Sequence, residues 1–133
     1  MRRALAVLIG LGLMASMSGC EDGGTPSEQR AHGTILLAAS TQSDSGVDAP
    51  IAGTLIRTDS GCLALAADND IHVLQFPFGT RLADDGESAN VPGLGVVRTG
   101  ERIDGAGGYI DVRSAPKDCH DIAEFAVWER VAD

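Results

Sequence analysis

The sequence predicts an all-β protein: a small closed or nearly closed β-barrel of the OB or a related Greek-key type, with a β-sandwich as the competing architecture. Three observations predict it. From position 51 onward the apolar residues fall in short runs separated by turn residues, too short for independent helices. Glycines mark the bends, at Gly61, Gly93, Gly95 and in Gly105-Ala106-Gly107-Gly108. Hydrophobic content of 44% excludes wholesale disorder, while an aromatic content of 4% leaves the core to Val, Ile, Leu and Ala.

Taken in order, residues 34–40 form a short apolar stretch and are expected to be a first, edge strand. Residues 41–50 (TQSDSGVDAP) are loop-like. The run 51–57 (IAGTLIR) is a strand ended by the turn Thr58-Asp59-Ser60-Gly61. Residues 62–67 (CLALAA) have helix-forming composition. Their brevity, with Ser60-Gly61 before and Asp68-Asn69-Asp70 after, makes them a hairpin strand instead. The next strand, 71–76 (IHVLQF), stops at Pro77, which has no N–H for a ladder. Residues 82–90 are polar, with 84–87 (DDGE) an exposed loop tip, and 91–98 are expected to be one bent or bulged strand. After the turn 99–101, the glycines at 105–108 precede strand character at 109–112. A loop over 114–121 holds Cys119, and 123–131 is expected to close the sheet with Phe125, Val127 and Val131 on one face and Trp128 on the other.

The amino-terminal 33 residues differ from all of this. Met1-Arg2-Arg3 is positively charged, residues 4–14 are apolar, and 15–19 are small and weakly polar, leading to Cys20. The apolar run is too short for a bilayer span and suits the core of an export signal. Met17-Ser18-Gly19-Cys20 resembles a lipobox, the recognition site of lipoprotein signal peptidase, although Met17 stands where Leu is commonest. The resemblance implies thioether attachment of diacylglycerol to Cys20, cleavage after Gly19 and acylation, palmitate for example, of the new amino terminus. The expected organisation is a cleaved signal peptide at 1–19, a lipidated flexible tether at 20–33 and a single β-domain at 34–133. The expected location is the extracytoplasmic face of the cell membrane or outer membrane. Two or three acyl chains give stable anchoring where one does not. No segment after Cys20 is apolar enough to span a membrane.

With Cys20 assigned to lipid, Cys62 and Cys119 remain as an even pair in an oxidising compartment, where disulfides persist. The rival readings are a reactive thiol or a metal ligand. Neither cysteine lies in a CxxC, and an acidic chain offers no electropositive niche to activate a thiol. From Gly53 to about Trp128 the sequence also resembles a loose set of small bacterial cell-envelope lipoproteins without an assigned activity. The matching residues are Gly61-Cys62-Leu63, Phe76-Pro77-Phe78-Gly79-Thr80, Gly105-Ala106-Gly107-Gly108-Tyr109, Cys119 and Val127-Trp128. This resemblance implies the same cysteine pairing and a compact β-fold.

The net charge of −9 argues against nucleic-acid partners, whose phosphates need Lys and Arg. Without Arg2 and Arg3 the chain has 8 basic and 19 acidic residues, a net −11, which favours solubility through mutual repulsion. Gly105-Ala106-Gly107-Gly108 is no phosphate loop: Ile110 stands where a dinucleotide fingerprint needs its third glycine, and no helix follows. A bulge or a close backbone approach accounts for these glycines. Asp68-Asn69-Asp70 lacks the glycine and bidentate glutamate of a calcium loop and reads as a hairpin turn. His32 lies in the tether; His72 shares a strand face with Leu74 and Phe76, as a hydrogen-bonded, partly buried imidazole; His120 stands beside Asp118, Cys119 and Asp121. A zinc site needs three or four convergent ligands, which one loop does not supply. No GxSxG or other nucleophile motif occurs.

The expected function is therefore a lipid-anchored, non-enzymatic binding or assembly module of the cell envelope. It needs no cofactor, and its partners are the membrane through its anchor and an envelope protein or small ligand. Phe76, Phe78, Tyr109 and Trp128 are the candidate ligand surface, and core packing is the expected duty of at least half of them. The alternative from another class is a small extracytoplasmic hydrolase or metal-dependent protein using His72 or His120.

Overall fold

The computed structural model describes residues 26–42, 49–111, 117–119 and 124–131. Ten strands occur among them: β1 Ser27–Ala31, β2 Thr34–Ala38, β3 Ala49–Arg57, β4 Leu63–Ala67, β5 Asp70–Phe76, β6 Arg81–Leu82, β7 Ser88–Val91, β8 Gly95–Arg98, β9 Arg102–Asp111 and β10 Glu124–Val131. One 3-10 turn, Lys117–Cys119, carries the second barrel cysteine. Among the described residues there is no helix long and apolar enough to cross a membrane.

Five strands close into a barrel. β3 pairs antiparallel with β4, β4 with β5, β9 with β10 and β9 with β3, and β10 runs parallel to β5. With the barrel strands counted one to five along the chain, the order is 1-2-3-5-4-1, the connectivity of an OB-type Greek-key barrel. The barrel expectation holds, and the sandwich does not. Alternation fills the interior: Ile51, Leu55, Leu65, Leu74, Phe76, Ile103, Ala126 and Trp128 are buried in one cluster. Leu55 opposes Leu65, and Leu74 opposes Ala126, so each inward residue meets another across the ladder. The two largest fully buried side chains, Trp128 and Phe76, meet there with ring centroids 5.9 Å apart at 48°.

Between β5 and β9 the chain builds a separate three-stranded sheet, β6-β7-β8, whose Ala89, Val91 and Val97 join the same buried cluster. The polar 82–90 stretch is thus a hairpin with 84–87 at its tip, as expected, and 91–98 is not one bent strand. Pro92-Gly93-Leu94 turns the chain from β7 into β8, with Gly93 at φ 81° and Leu94 N–H donating to the Val91 carbonyl over 3.0 Å. Pro at the first and Gly at the second central position is the residue choice of a type II turn.

Two expectations about the start of the domain also change. Ser27–Ala31, read as tether, is a strand paired along its length with β2. Its mostly exposed burial pattern erases the alternation by which a strand is recognised. The connecting His32-Gly33 has φ of 46° and 78°, both positive, as a two-residue type I′ hairpin turn requires. β2 is accordingly no edge strand. Flanked by β1 and β5, it is buried throughout, with Leu36 and Ala38 facing the barrel core and Ile35 and Leu37 facing outward.

The glycine run at 105–108 does not interrupt the sheet: β9 is continuous over ten residues. A Cβ on Gly107 would lie 1.7 Å from the Val127 carbonyl oxygen, so β10 approaches too closely for any side chain. The irregularity sits in the partner, where the register shifts between Trp128 and Arg130. That shift exchanges faces. Ala126 and Trp128 point into the barrel, Phe125 points out, and Val131 returns to the inner cluster beyond the bulge. The expected common face of Phe125, Val127 and Val131 therefore does not exist.

Candidate binding cleft

Outside the barrel wall lies a second, smaller apolar cluster of Ile35, Leu37, Cys62, Val73, Cys119 and Phe125. It comes from outward residues of β2, β5 and β10, covered by the segment carrying Cys119. Cys62 and Cys119 are joined by a disulfide across a Cα–Cα distance of 5.8 Å, as the cysteine arithmetic requires. Since Cys62 ends the β3–β4 connection and Cys119 belongs to the β9–β10 connection, the bond fastens one barrel loop to the other.

Beside this bond, between the outer faces of β3 and β5, lies a cleft of about 310 Å³. Its floor is Ile56, Ile71 and Val73; its walls are Arg57, Thr58, Asp59 and Ser60 on one side and Asp118 with Cys119 on the other. The wall 58–62 is held by its own backbone. Gly61 N–H donates to the Thr58 carbonyl, Thr58 N–H to the Cys62 carbonyl, and Cys62 N–H to Thr58 Oγ1. Gly61 has φ 95°, and a Cβ there would lie 2.0 Å from the Gly33 carbonyl oxygen, so the β1–β2 turn buttresses this loop. Ile35 N–H also donates to the Gly61 carbonyl over 2.8 Å.

Electrostatically the rim is mixed. Arg57 Nη1 donates to Thr34 Oγ1 over 3.1 Å. Asp118 accepts from Arg30 Nη2 at 3.0 Å, and Arg30 also pairs with Glu28. Glu28 first and Asp118 second raise the affinity of the Arg30 guanidinium for its proton above the ordinary value. The ion pairs are solvent-exposed, so they position β1 against the Cys119 segment more than they stabilise the fold.

The four expected ligand-contacting side chains separate. Phe76 and Trp128 are fully buried in the barrel and offer no surface, because an inward β position in a closed barrel faces only the core. Phe78 and Tyr109 are about half exposed. They do not share a surface with the cleft: Phe78 follows β5, while Tyr109 meets His72 near the start of that strand with the rings tilted at 54° and their centroids 4.8 Å apart. His72 is buried. Asp68 and Asn69 form the β4–β5 hairpin turn at φ of 49° and 70°, with Ala67 opposite Asp70. Among the described residues no cluster of three or more His, Cys, Asp or Glu is placed to hold a metal ion. Cys20, the signal segment and His120 lie outside the described residues.

Sequence reasoning missed the cleft residues Ile56, Arg57, Asp59, Ile71 and Asp118. The legible signal was Ile71 and Val73, two apolar residues on the strand face opposite Leu74 and Phe76. An apolar residue on the outer face of a barrel strand needs a cover or a ligand. Comparison with protein families, with curated proteins and with solved structures finds no significant match to this chain.

Proposed function

We propose that this chain is an exported lipoprotein, anchored through Cys20 outside the cytoplasm, whose barrel is a non-enzymatic binding or assembly module of the cell envelope. One observation carries the reading: the disulfide takes both barrel cysteines and leaves Cys20, directly behind a charged, apolar and then small-residue segment. A buried disulfide suits an oxidising compartment, and Cys20 follows the residue pattern that a lipid-transferring export route uses. The ligand seat is the cleft between loop 58–62 and Cys119. Its strand residues come from the first and third barrel strands, and it lies between the two loops where OB-type barrels take their ligands. Fold alone names no ligand. The cleft volume of about 310 Å³ suits a small molecule or one inserted side chain.

The test is metabolic labelling with radioactive palmitate in a bacterial host, together with inhibition of lipoprotein signal peptidase. The expected result is label on the wild-type protein, none on Cys20→Ser, and a larger precursor under inhibition. Unlabelled protein of unchanged size refutes the anchor. For the cleft, a photo-crosslinker at Ile71 on intact cells is expected to trap a discrete partner that the same group at Glu87 does not. Equal trapping at both positions removes the cleft from the reading.

A further inference from the structure

We infer that the end of the molecule bearing Phe78 and Leu94 rests on the lipid surface that holds the Cys20 anchor, so the barrel is oriented at the membrane and does not swing freely above it. This rests on the lipid-anchor reading of Cys20. Phe78 is 48% exposed, Leu94 47% and Val96 56%, the largest such group in one region of the described residues. The turns that carry Phe78 and Leu94 pack together, since a Cβ built on Gly79 would lie 3.1 Å from Pro92 Cγ, and Val96 follows in β8. Both tips are pre-formed. Thr80 N–H and Oγ1 both donate to the Pro77 carbonyl, and Leu94 N–H donates to that of Val91. Isolated exposed apolar residues are ordinary; rigid adjacent tips at one end of a molecule are not.

What selects lipid as the occupant is where the chain enters the domain. Ser27 pairs with Ala38 and Ala38 with Phe76, placing the start of β1 in the same row as the residue leading into Pro77 and Phe78. At roughly 4.8 Å per strand spacing, Ser27 lies about 10 Å across the sheet from Phe76. The side chain of Gln29 fixes the direction. Its amide donates to the Thr80 carbonyl at 2.8 Å and accepts from Leu82 N–H at 2.7 Å, tying β1 alongside β6. Further along, the Ala31 carbonyl lies against Gly86. β1 therefore runs away from the Phe78 end, and the chain before Ser27 emerges beside it.

With Ser27 in a strand, only residues 21–26 separate it from Cys20. Six residues reach at most about 20 Å, whereas the full stretch 21–33 was expected to be free. The anchor thus holds the Phe78 end near the head groups. The charges are arranged to match. Arg81, Asn90 and Val96 occupy one row of the small sheet, and Arg81 forms no ion pair among the described residues. The acidic Asp84, Asp85 and Glu87 lie on the turn at the opposite end, away from anionic lipid. Apolar tips of this kind enter the boundary between head groups and acyl chains.

The experiment uses the full-length, acylated protein in phosphatidylethanolamine–phosphatidylglycerol vesicles containing brominated phosphatidylcholine, which quenches tryptophan fluorescence on contact. Phe78→Trp, Leu94→Trp and Glu87→Trp are compared, with the buried Trp128 as a constant background measured in the parent protein. All three positions lie on turns outside the barrel interior. Quenching at positions 78 and 94 is expected to exceed that at 87 by about threefold, since an interfacial side chain reaches the bromines and an aqueous one does not. Mass spectrometry of the same preparations reports the acyl chains on Cys20. Acylated protein quenched equally weakly at all three sites overturns this inference and leaves the anchor standing. Unacylated Cys20 overturns both. Should the acylated protein sediment as a dimer with positions 78 and 94 shielded from aqueous iodide but not quenched by bromine, a second copy and not lipid covers the patch, and the inference fails.

Discussion

Two apolar clusters share the wall of the barrel, one inside it and one outside, and they are built on different physics. The inner cluster gathers residues from β2 to β10 into a closed volume around Phe76 and Trp128, and every barrel strand contributes. The outer cluster is six residues, two of them the bonded cysteines. Removing apolar area from water suffices for the first. The second is too small for that alone, and its cover, the Cys119 segment, is far along the chain from Cys62. A covalent bond supplies what burial does not, by restricting the unfolded chain. The proposed ligand seat lies beside the covalently held region, where a small apolar cluster is fastened by the disulfide.

Mutation can break that comparison at either cluster. The largest effect is expected for Trp128→Ala, which empties the centre of the inner cluster and costs about 5 kcal/mol by the range for buried aromatic truncation. The change is read as a lowered denaturant midpoint at unchanged slope. Replacing both Cys62→Ala and Cys119→Ala is expected to cost about 4 kcal/mol, as for a long closed loop. Hydrogen exchange distinguishes the clusters here: amides of Ile35 and Leu37 should lose protection first, while Leu65 and Leu74 keep theirs up to the lower global limit. Gly107→Ala forces β10 away from β9 and is expected to cost about 3 kcal/mol, the upper part of the overpacking range.

Smaller effects sharpen the picture at the margins. Gln29→Ala deletes both hydrogen bonds from β1 to β6 and is expected to cost about 1 kcal/mol, with faster exchange at Leu82 N–H as its local signature. Arg30→Ala removes the exposed bridges to Glu28 and Asp118 and is expected to leave the melting temperature unchanged. A large loss from Arg30→Ala would mean that the outer cluster depends on charge as well as on the disulfide.

Where the barrel was legible, the reason was local. Residues 62–67 and 71–76 are short and bounded by turn residues, so their hairpin follows from neighbours in sequence. The glycines at 105–108 were legible as a bulge or a close backbone approach, and the structure makes Gly107 the close approach, against the Val127 carbonyl. β1 was not, because its residues are polar on both faces; only His32-Gly33, a two-residue link able to take positive φ, marked a hairpin. Core packing was expected of at least half of the four aromatics, and the structure gives it to Phe76 and Trp128; aromaticity alone does not say which, because it does not say which way a strand faces. The bulge after Trp128 compounded this by exchanging the faces of β10 midway.

By itself, the sequence determined the all-β class, the short strands and their turns, the pairing of Cys62 with Cys119 and the acidic balance. Each depends on residues close in the chain or on counting. Only the tertiary structure decided that β5 and β10 run parallel, that the polar 82–90 stretch folds into a second sheet, and that Ile56, Ile71 and Asp118 line one cleft. These are matters of register between distant strands. A strand's own pattern tells which residues share a face, but which strand it meets, and at what offset, is settled by packing the whole core at once.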